Sequence, residues 1–198
     1  MSRSKISKDL NNYYKINKVN YFKKNIIESN FKLSNKYDLI FFVAGYSAPK
    51  KFTDNSKETL LVHSLGLVNV SRYLKSKGNL MYLSSSEIYN GLTKNFTENF
   101  SGNINFDDIR APYINGKKFG ETYCHLLSKK GFKIKIVRVS LTYGPGAKKT
   151  DSRVINEIIL KSIKNNKIKL LDNGSSIRKY IYIDDCLEII FRIIDRSK

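Results

Sequence analysis

The feature that most constrains this 198-residue chain is a short, almost entirely apolar run, Tyr37–Ala44, which ends at Gly45. A run of this length without polar alternation is typical of a strand buried on both faces, as in a parallel sheet covered by helices. A second apolar run, Asn79–Leu83, leads directly into a cluster of three serines. These two runs predict an α/β fold.

Helical and strand patterns alternate along the rest of the chain. A capping-box-like start at residues 55–58 predicts a helix, with Gly78 as its C-terminal stop. Further helices are predicted over 113–130, 152–164 and 184–194, and further strands over 19–27, 133–139, 168–171 and 180–183. This alternation indicates a parallel sheet, in which ligands bind beyond the C-terminal ends of the strands. The polar residues that follow Ala44, Leu83 and Val139 fall in that position.

Composition narrows the functional classes. The formal net charge is +19, and 28 of the 36 basic residues are lysines spread along the chain without a dense tract. Because arginine and aromatic–basic modules are scarce, this distribution favours a compositional origin of the charge over nucleic-acid binding. A basic nucleic-acid-binding protein stays open as an alternative. With no membrane-spanning run and no secretory h-region, we expect a cytoplasmic protein.

The two cysteines, Cys124 and Cys186, are far apart in the sequence and match no zinc or redox spacing. We therefore expect reduced, buried thiols and predict no metal site.

A Tyr-x-x-x-Lys spacing on a helix places an ammonium beside a phenol, which lowers the phenol pKa and makes it usable as a base. Four such pairs occur: Tyr14/Lys18, Tyr46/Lys50, Tyr73/Lys77 and Tyr113/Lys117. Only the last opens a predicted helix and follows, 28 residues after Ser85, a hydroxyl cluster at a strand end. We therefore expect Tyr113 to be the base, Lys117 its partner and Ser85 a hydrogen-bond donor to a substrate hydroxyl.

The chain resembles the NAD-dependent epimerase/dehydratase proteins, the extended short-chain dehydrogenases that act on nucleotide sugars, over residues 19–195. Six segments that occur in the family's order carry this resemblance: Val43–Gly45, Ser84–Tyr89, Arg110–Lys117, Arg138–Pro145, Asp172–Arg178 and Tyr182–Asp185. The resemblance implies a Rossmann-like doubly wound parallel sheet, NAD as cofactor and a nucleotide sugar as substrate. It also implies a homodimer for a full-length chain.

The same resemblance implies roles for single residues. Ser85 would hydrogen-bond the sugar 4-oxygen, Tyr113 would remove its proton, and Lys117 would support Tyr113 and hold the nicotinamide ribose.

Further residues would bind the two ligands. Ala44 and Gly45 would line the cofactor site. Arg178, with help from Arg153, would contact the nucleotide diphosphate through its guanidinium fork.

The pair that follows Ser85 bears on the type of reaction. Ser86–Glu87 is similar to the pair in UDP-glucuronate decarboxylases, and the segment 110–121 is similar to theirs as well. Dehydratases of the family carry Asp-Glu there, and simple 4-epimerases usually carry neither. The resemblance therefore implies oxidation at C4 followed by loss of carbon dioxide, with Glu87 orienting the sugar or relaying a proton. A 4-epimerase and a 4,6-dehydratase stay open.

The chain departs from the family pattern in its glycines. It contains no Gly-x-x-Gly-x-x-Gly or Gly-x-Gly-x-x-Gly loop, which cradles the NAD pyrophosphate. We therefore expect the fold to lack the first βαβ unit, with residues 1–145 as a partial NAD-binding region and 146–198 as the start of a small substrate-binding region of the same domain. A catalytically inactive remnant is a further alternative. We also expect weak NAD binding and self-association through an uncovered Tyr37–Ala44.

Two single residues also depart from the family pattern. The family's asparagine in the helix after the fourth strand is His63 here, which we expect to be packed rather than catalytic. The asparagine before Thr-Tyr-Gly-Pro is Leu141.

Overall fold

The computed structural model describes residues 14–90, 97–147, 153–165, 173 and 177–195. Within them, three parallel strands form the main sheet in the order β1-β2-β3, and two more form a small parallel sheet. The strands are β1 (Tyr37–Phe42), β2 (Leu74–Ser85), β3 (Lys133–Val139), β4 (Leu141–Tyr143) and β5 (Tyr180–Tyr182). The helices are α1 (Pro49–Asp54), α2 (Ser56–Leu61), α3 (Leu67–Ser71), α4 (Ala111–Lys129), α5 (Val154–Asn165) and α6 (Ile183–Asp195).

The C-terminal ends of β1, β2 and β3 meet at one edge of the main sheet. Phe42 is opposite Tyr82, and Ser85 is opposite Val139. The predicted α/β class with a parallel sheet is therefore confirmed, and the polar residues that follow these strands share that edge.

The main core lies between one face of the sheet, the turn of residues 62–66 and the helices α3 and α4. Leu67, Leu80 and Tyr82 are completely buried there, and Cys124 of α4 packs with them as a free thiol. On the other face, α6 packs a smaller cluster around Cys186, also a free buried thiol. The prediction of reduced, buried cysteines is confirmed.

The helix predicted from residue 55 is present but shorter than expected. A π turn, Val62–Gly66, separates α2 from α3, and Gly78 lies inside β2 instead of ending a helix. Asn55 does not cap α2, because its side-chain amide donates to the carbonyl of Lys51 at 2.9 Å. A left-handed φ of 58° at Lys77 accompanies the irregular pairing of early β2 with β1. A Cβ at Gly78 would lie 2.9 Å from the carbonyl oxygen of Lys75, which explains why glycine follows Lys77.

The strand predicted over residues 19–27 is wrong. The segment is irregular and has a single bridge residue. The Asn69 amide donates to the carbonyl oxygens of Ile26 (2.9 Å) and Glu28 (3.3 Å), and the Asn25 side chain accepts from the N–H of Ile27. Such side-chain bonds compete with a strand ladder for the backbone groups. The strand predicted over 168–171 lies outside the described residues.

β1 is well covered on one face and only partly covered on the other, which differs from the prediction of burial on both. Ile40 and Phe42 are buried, whereas Leu39, Phe41 and Val43 are 37%, 40% and 61% exposed. Among the described residues β1 pairs with β2 alone. The outer face of this strand therefore presents an apolar stripe at the edge of the sheet.

None of the helices in the described ranges is both long enough and apolar enough to cross a membrane.

Candidate active site

The structure separates Tyr113/Lys117 from the three other pairs of the same spacing. Both residues lie in α4, which begins at Ala111 with Pro112 in its first turn, and they are 8% and 6% exposed. The other pairs do not share a helix: Lys18 and Lys77 have left-handed φ values of 53° and 58°. Of the four tyrosine–lysine pairs, this one alone lies within a single helix.

Tyr46 and Lys50 also do not lie in one helix, because Tyr46 precedes α1. The Tyr46 hydroxyl donates to a carboxylate oxygen of Glu58 at 2.9 Å. The hydroxyl of this tyrosine therefore has a carboxylate partner of its own, although the residue packs against the cluster that contains Tyr113.

Ser85 ends β2 beside the base that the sequence predicts. Its hydroxyl accepts from the backbone N–H of Glu87 at 3.2 Å and lies close enough to the Tyr113 phenol to lower the pKa of that group. The 3₁₀ turn Ser86–Tyr89 follows at once, and the bond from Glu87 caps this turn. The structure thus brings together Ser85 and Tyr113 at the sheet edge.

Lys117 completes this group from one turn further along α4. Its ammonium donates to the carbonyl oxygen of Leu83 at 2.6 Å and lies 5.7 Å from the ring centroid of Tyr113 and 5.4 Å from that of Tyr82. Burial lowers the pKa of Lys117 to about 7, and the carboxylate of Glu121 opposes this shift. An ammonium with three donors and one carbonyl acceptor among the described residues can still bind a further hydroxyl.

The pKa of Tyr113 differs from the prediction. Burial raises it above its usual value, while the Ser85 hydrogen bond and the Arg110 charge lower it and Glu87 raises it. The ring is stacked on Phe52 with centroids 4.3 Å apart. The net result is a raised pKa of Tyr113, opposite to the lowering that the Tyr-x-x-x-Lys spacing predicts, and burial is its largest cause.

Glu87 is paired with an arginine that the sequence analysis did not single out. The Arg110 guanidinium donates through Nη2 to Glu87 Oε2 at 2.5 Å. Arg110 lies immediately before α4 and three residues before Tyr113. That position in the sequence is the signal that could have identified it.

A second ion pair, between Arg138 and Glu121 of α4, was also not predicted from the sequence. Arg138 donates from Nε and Nη2 to the two oxygens of Glu121 at 2.9 and 2.7 Å. Its guanidinium also lies 4.8 Å from the Tyr89 ring centroid and donates to the carbonyl oxygen of Phe100. Glu121 follows Lys117 by one helical turn, and this spacing was visible in the sequence.

His63 is completely buried, which confirms that it is packed. Its Nδ1 lies 3.3 Å from the Tyr82 hydroxyl, and Nε2 has no hydrogen-bond partner among the described residues. Burial, helped by the charge of Lys117, lowers its pKa to about 2. A Cβ on Gly45 would lie 2.9 Å from Nε2, so glycine at this position leaves room for the imidazole. His63 therefore forms a neutral wall of the site.

The remaining predicted site residues are Ala44, Gly45, Arg153 and Arg178. Ala44 packs against the main core, and Gly45 follows it with a left-handed φ of 126° at the end of β1. Arg153 donates to the carbonyl oxygen of Thr142 in β4, and Arg178 lies in an exposed segment before β5. The binding roles of these four residues stay predictions.

The residues present fit one part of a dinucleotide. The spare donors of Lys117, the phenol of Tyr113 and the uncovered backbone at Gly45 suit the nicotinamide ribose. The chain supplies no glycine-rich loop for the pyrophosphate.

Comparisons with known proteins agree with this geometry. A family model described as "NAD dependent epimerase/dehydratase family" matches residues 2–198. UDP-glucuronic acid decarboxylase 1 of Xenopus tropicalis is 27% identical over 163 residues, which are 81% of this chain and 39% of the relative. UDP-glucuronic acid decarboxylase 6 of Arabidopsis thaliana is 27% identical over 161 residues, which are 80% of this chain and 47% of the relative. The chain thus spans less than half the length of these curated relatives.

A solved structure shares the fold. The UDP-glucuronic acid 4-epimerase from Bacillus cereus, in complex with UDP-glucuronic acid and NAD, superposes with a TM-score of 0.69. The match has 18% identity and covers 94% of this chain and 60% of the epimerase chain. The predicted Rossmann-like arrangement is therefore confirmed.

Proposed function

The chain belongs to the NAD-dependent epimerase/dehydratase family, whose cofactor is NAD, and we propose that it acts on a nucleotide sugar as a decarboxylase of the UDP-glucuronate type. The observation that carries the proposal is the contact of Ser85 with Tyr113 and Glu87 at the strand ends. The similarity to two UDP-glucuronic acid decarboxylases supports the choice of substrate.

The proposed first step is removal of the proton from the sugar 4-hydroxyl. Tyr113 takes this proton, and Ser85 hydrogen-bonds the same oxygen, because the two side chains already contact each other. NAD, when bound, would accept the hydride from C4 and place a positive charge near the phenol. Lys117 would hold the ribose through its remaining N–H donors.

Loss of carbon dioxide follows from the chemistry of the substrate. A ketone at C4 makes the carboxylate on C5 a β-keto acid, so the C5–carboxyl carbon bond breaks and its electron pair moves toward the C4 oxygen. Tyr113 and Ser85, which bind that oxygen, stabilise the developing negative charge. Glu87 orients the sugar or relays the proton that C5 then receives.

The test is turnover of UDP-glucuronate labelled at its carboxyl carbon. We expect release of labelled carbon dioxide without net accumulation of reduced nicotinamide, because the hydride returns to C4 within the same cycle. Turnover of a neutral nucleotide hexose to its 4-epimer or 4-keto-6-deoxy product, with none from the uronate, would contradict the proposal.

A further inference from the structure

Two arginine–carboxylate pairs in this chain differ in how many donors of the guanidinium bind the carboxylate. Arg138 binds both oxygens of Glu121 through Nε and Nη2, and the two side chains are only 14% and 10% exposed. Arg110 binds one oxygen of Glu87 through Nη2, and these side chains are 38% and 27% exposed. The Nε of Arg110 is buried without a hydrogen-bond partner among the described residues.

Arg110 therefore uses only one of the two N–H groups, Nε–H and Nη2–H, that form the fork on one side of its guanidinium. Nε–H and Nη2–H of a guanidinium point the same way and match the two oxygens of one carboxylate. Glu121 fills both positions on Arg138, whereas Glu87 leaves one empty on Arg110. A buried N–H without an acceptor is unfavourable, so a carboxylate that reached both donors would bind better than Glu87 does.

The half-occupied fork lies beside the reactive group. The Arg110 guanidinium carbon is 5.8 Å from the Phe52 ring centroid, and Phe52 stacks directly on Tyr113. Glu87, the partner of Arg110, donates its backbone N–H to Ser85. The pair therefore adjoins the position where the sugar 4-oxygen must lie in the proposed function.

We propose that Arg110 determines specificity for a nucleotide uronate by binding the carboxylate on sugar C5 in exchange for Glu87. The inference rests on the proposed function, because it needs the 4-oxygen at Tyr113 and Ser85. The C5 carboxylate is on the neighbouring carbon, and its two oxygens can occupy both donors of the fork. A neutral hexose has no group that can displace Glu87 in this way.

The resting ion pair contributes to selectivity. Glu87 keeps the cation of Arg110 neutralised when no acidic ligand is present, so binding must replace one carboxylate by another. Once released, Glu87 stays next to Ser85 through its backbone, where its side chain can face the sugar. Binding of the substrate carboxylate to Arg110 and release of Glu87 from Arg110 therefore happen together.

The experiment measures the dissociation constants of UDP-glucuronate and UDP-glucose by calorimetry in the presence of NAD. For Arg110→Gln we expect about 10- to 100-fold weaker binding of UDP-glucuronate, the range for a charge-assisted bidentate contact. Binding of UDP-glucose should change less than about 3-fold. Arg110→Lys keeps the charge but not the fork and should lie between. Arg72→Gln, an exposed arginine at the end of α3, is the matched control.

Glu87→Gln gives a second readout that a purely structural role would not produce. Removing the competing carboxylate should tighten UDP-glucuronate binding severalfold and leave UDP-glucose unchanged. Equal weakening of both ligands by Arg110→Gln would overturn the inference, as would weaker uronate binding by Glu87→Gln. Equal affinity of the unaltered protein for both ligands would overturn the inference while leaving a nucleotide-sugar function intact. Binding of neither would overturn the proposed function and the inference with it.

Discussion

The two faces of β1 are covered to very different extents. On one face, Ile40 and Phe42 are only 8% and 3% exposed and belong to the main core with residues of α3 and α4. On the other, Phe41 contacts the Phe191 ring of α6 but stays 40% exposed, and Val43 is 61% exposed. Tyr113 and Lys117 belong to the covered side, since α4 carries both. The difference indicates that burial on one face holds the reactive groups in place and shifts their pKa values.

The largest expected effect comes from the covered side. Tyr113→Phe should lower kcat by about 100- to 10,000-fold, because the mutant lacks the group that takes the proton. Binding of NAD, measured by calorimetry, should be largely retained. Tyr73→Phe is the matched control, since Tyr73 belongs to a look-alike pair and its hydroxyl contacts the Phe31 carbonyl oxygen. Equal loss of kcat in Tyr73→Phe with none in Tyr113→Phe would refute the choice of base.

Two adjacent phenylalanines test the comparison of faces directly. Phe42 is buried and Phe41 is half-exposed on the opposite side of β1. Phe42→Ala should lower the free energy of unfolding by about 3–5 kcal/mol, the range for a buried aromatic residue. Phe41→Ala should cost less than about 1 kcal/mol. Urea denaturation measures both, and a similar cost for the two would show that the outer face is also covered in solution.

Acid should destabilise the protein through His63. Its pKa is lowered from 6.5 to about 2 in the folded state, so the unfolded chain binds the proton more readily. The neutral state of His63 therefore contributes fully to the free energy of unfolding above pH 6.5, and this contribution is lost progressively as the pH falls toward about 2. His63→Asn should flatten this part of the stability–pH curve measured by denaturation.

His125→Asn, on the exposed side of α4, is the matched variant for His63→Asn and should keep the slope of the unaltered protein. If the two variants change the slope equally, burial of His63 is not its cause.

The smallest expected effect concerns the outer face of β1. Val43→Lys places a charge on the apolar stripe and should reduce self-association, because charged side chains at a strand edge oppose edge-to-edge pairing. Sedimentation velocity over a range of concentrations measures this. Ser47→Lys adds the same charge outside the strand, on an exposed residue, and should leave self-association unchanged. If the unaltered protein is monomeric at all concentrations, the apolar stripe does not cause self-association.

Local sequence patterns predicted the elements that carry the site. The helix of Tyr113, the serines that end β2 and the strand that ends at Val139 were all identified, because each has its own periodicity and stop signal. Long-range contacts could not be predicted this way. The pairing of Arg110 with Glu87 joins residues 23 positions apart and depends on how β2 and α4 meet.

The coverage of β1 also could not be predicted from its residues. The run Tyr37–Phe42 has the composition of a strand buried on both faces, but composition does not specify what lies against it. The irregular segment 19–27 was mistaken for a strand because the hydrogen bonds of Asn69 come from more than 40 residues away.

The glycines around the site impose an order on evolutionary change. A Cβ at Gly45 would lie 2.9 Å from His63 Nε2, and a Cβ at Gly120 would lie 2.1 Å from the Tyr82 hydroxyl oxygen. Position 45 also has a φ of 126°, which favours glycine whatever its neighbour is. A side chain at position 120, by contrast, becomes acceptable once Tyr82 is replaced by a shorter residue. Substitutions at such contacting positions are not additive. A lineage that reached Tyr82 first would keep Gly120 for as long as the phenol remains.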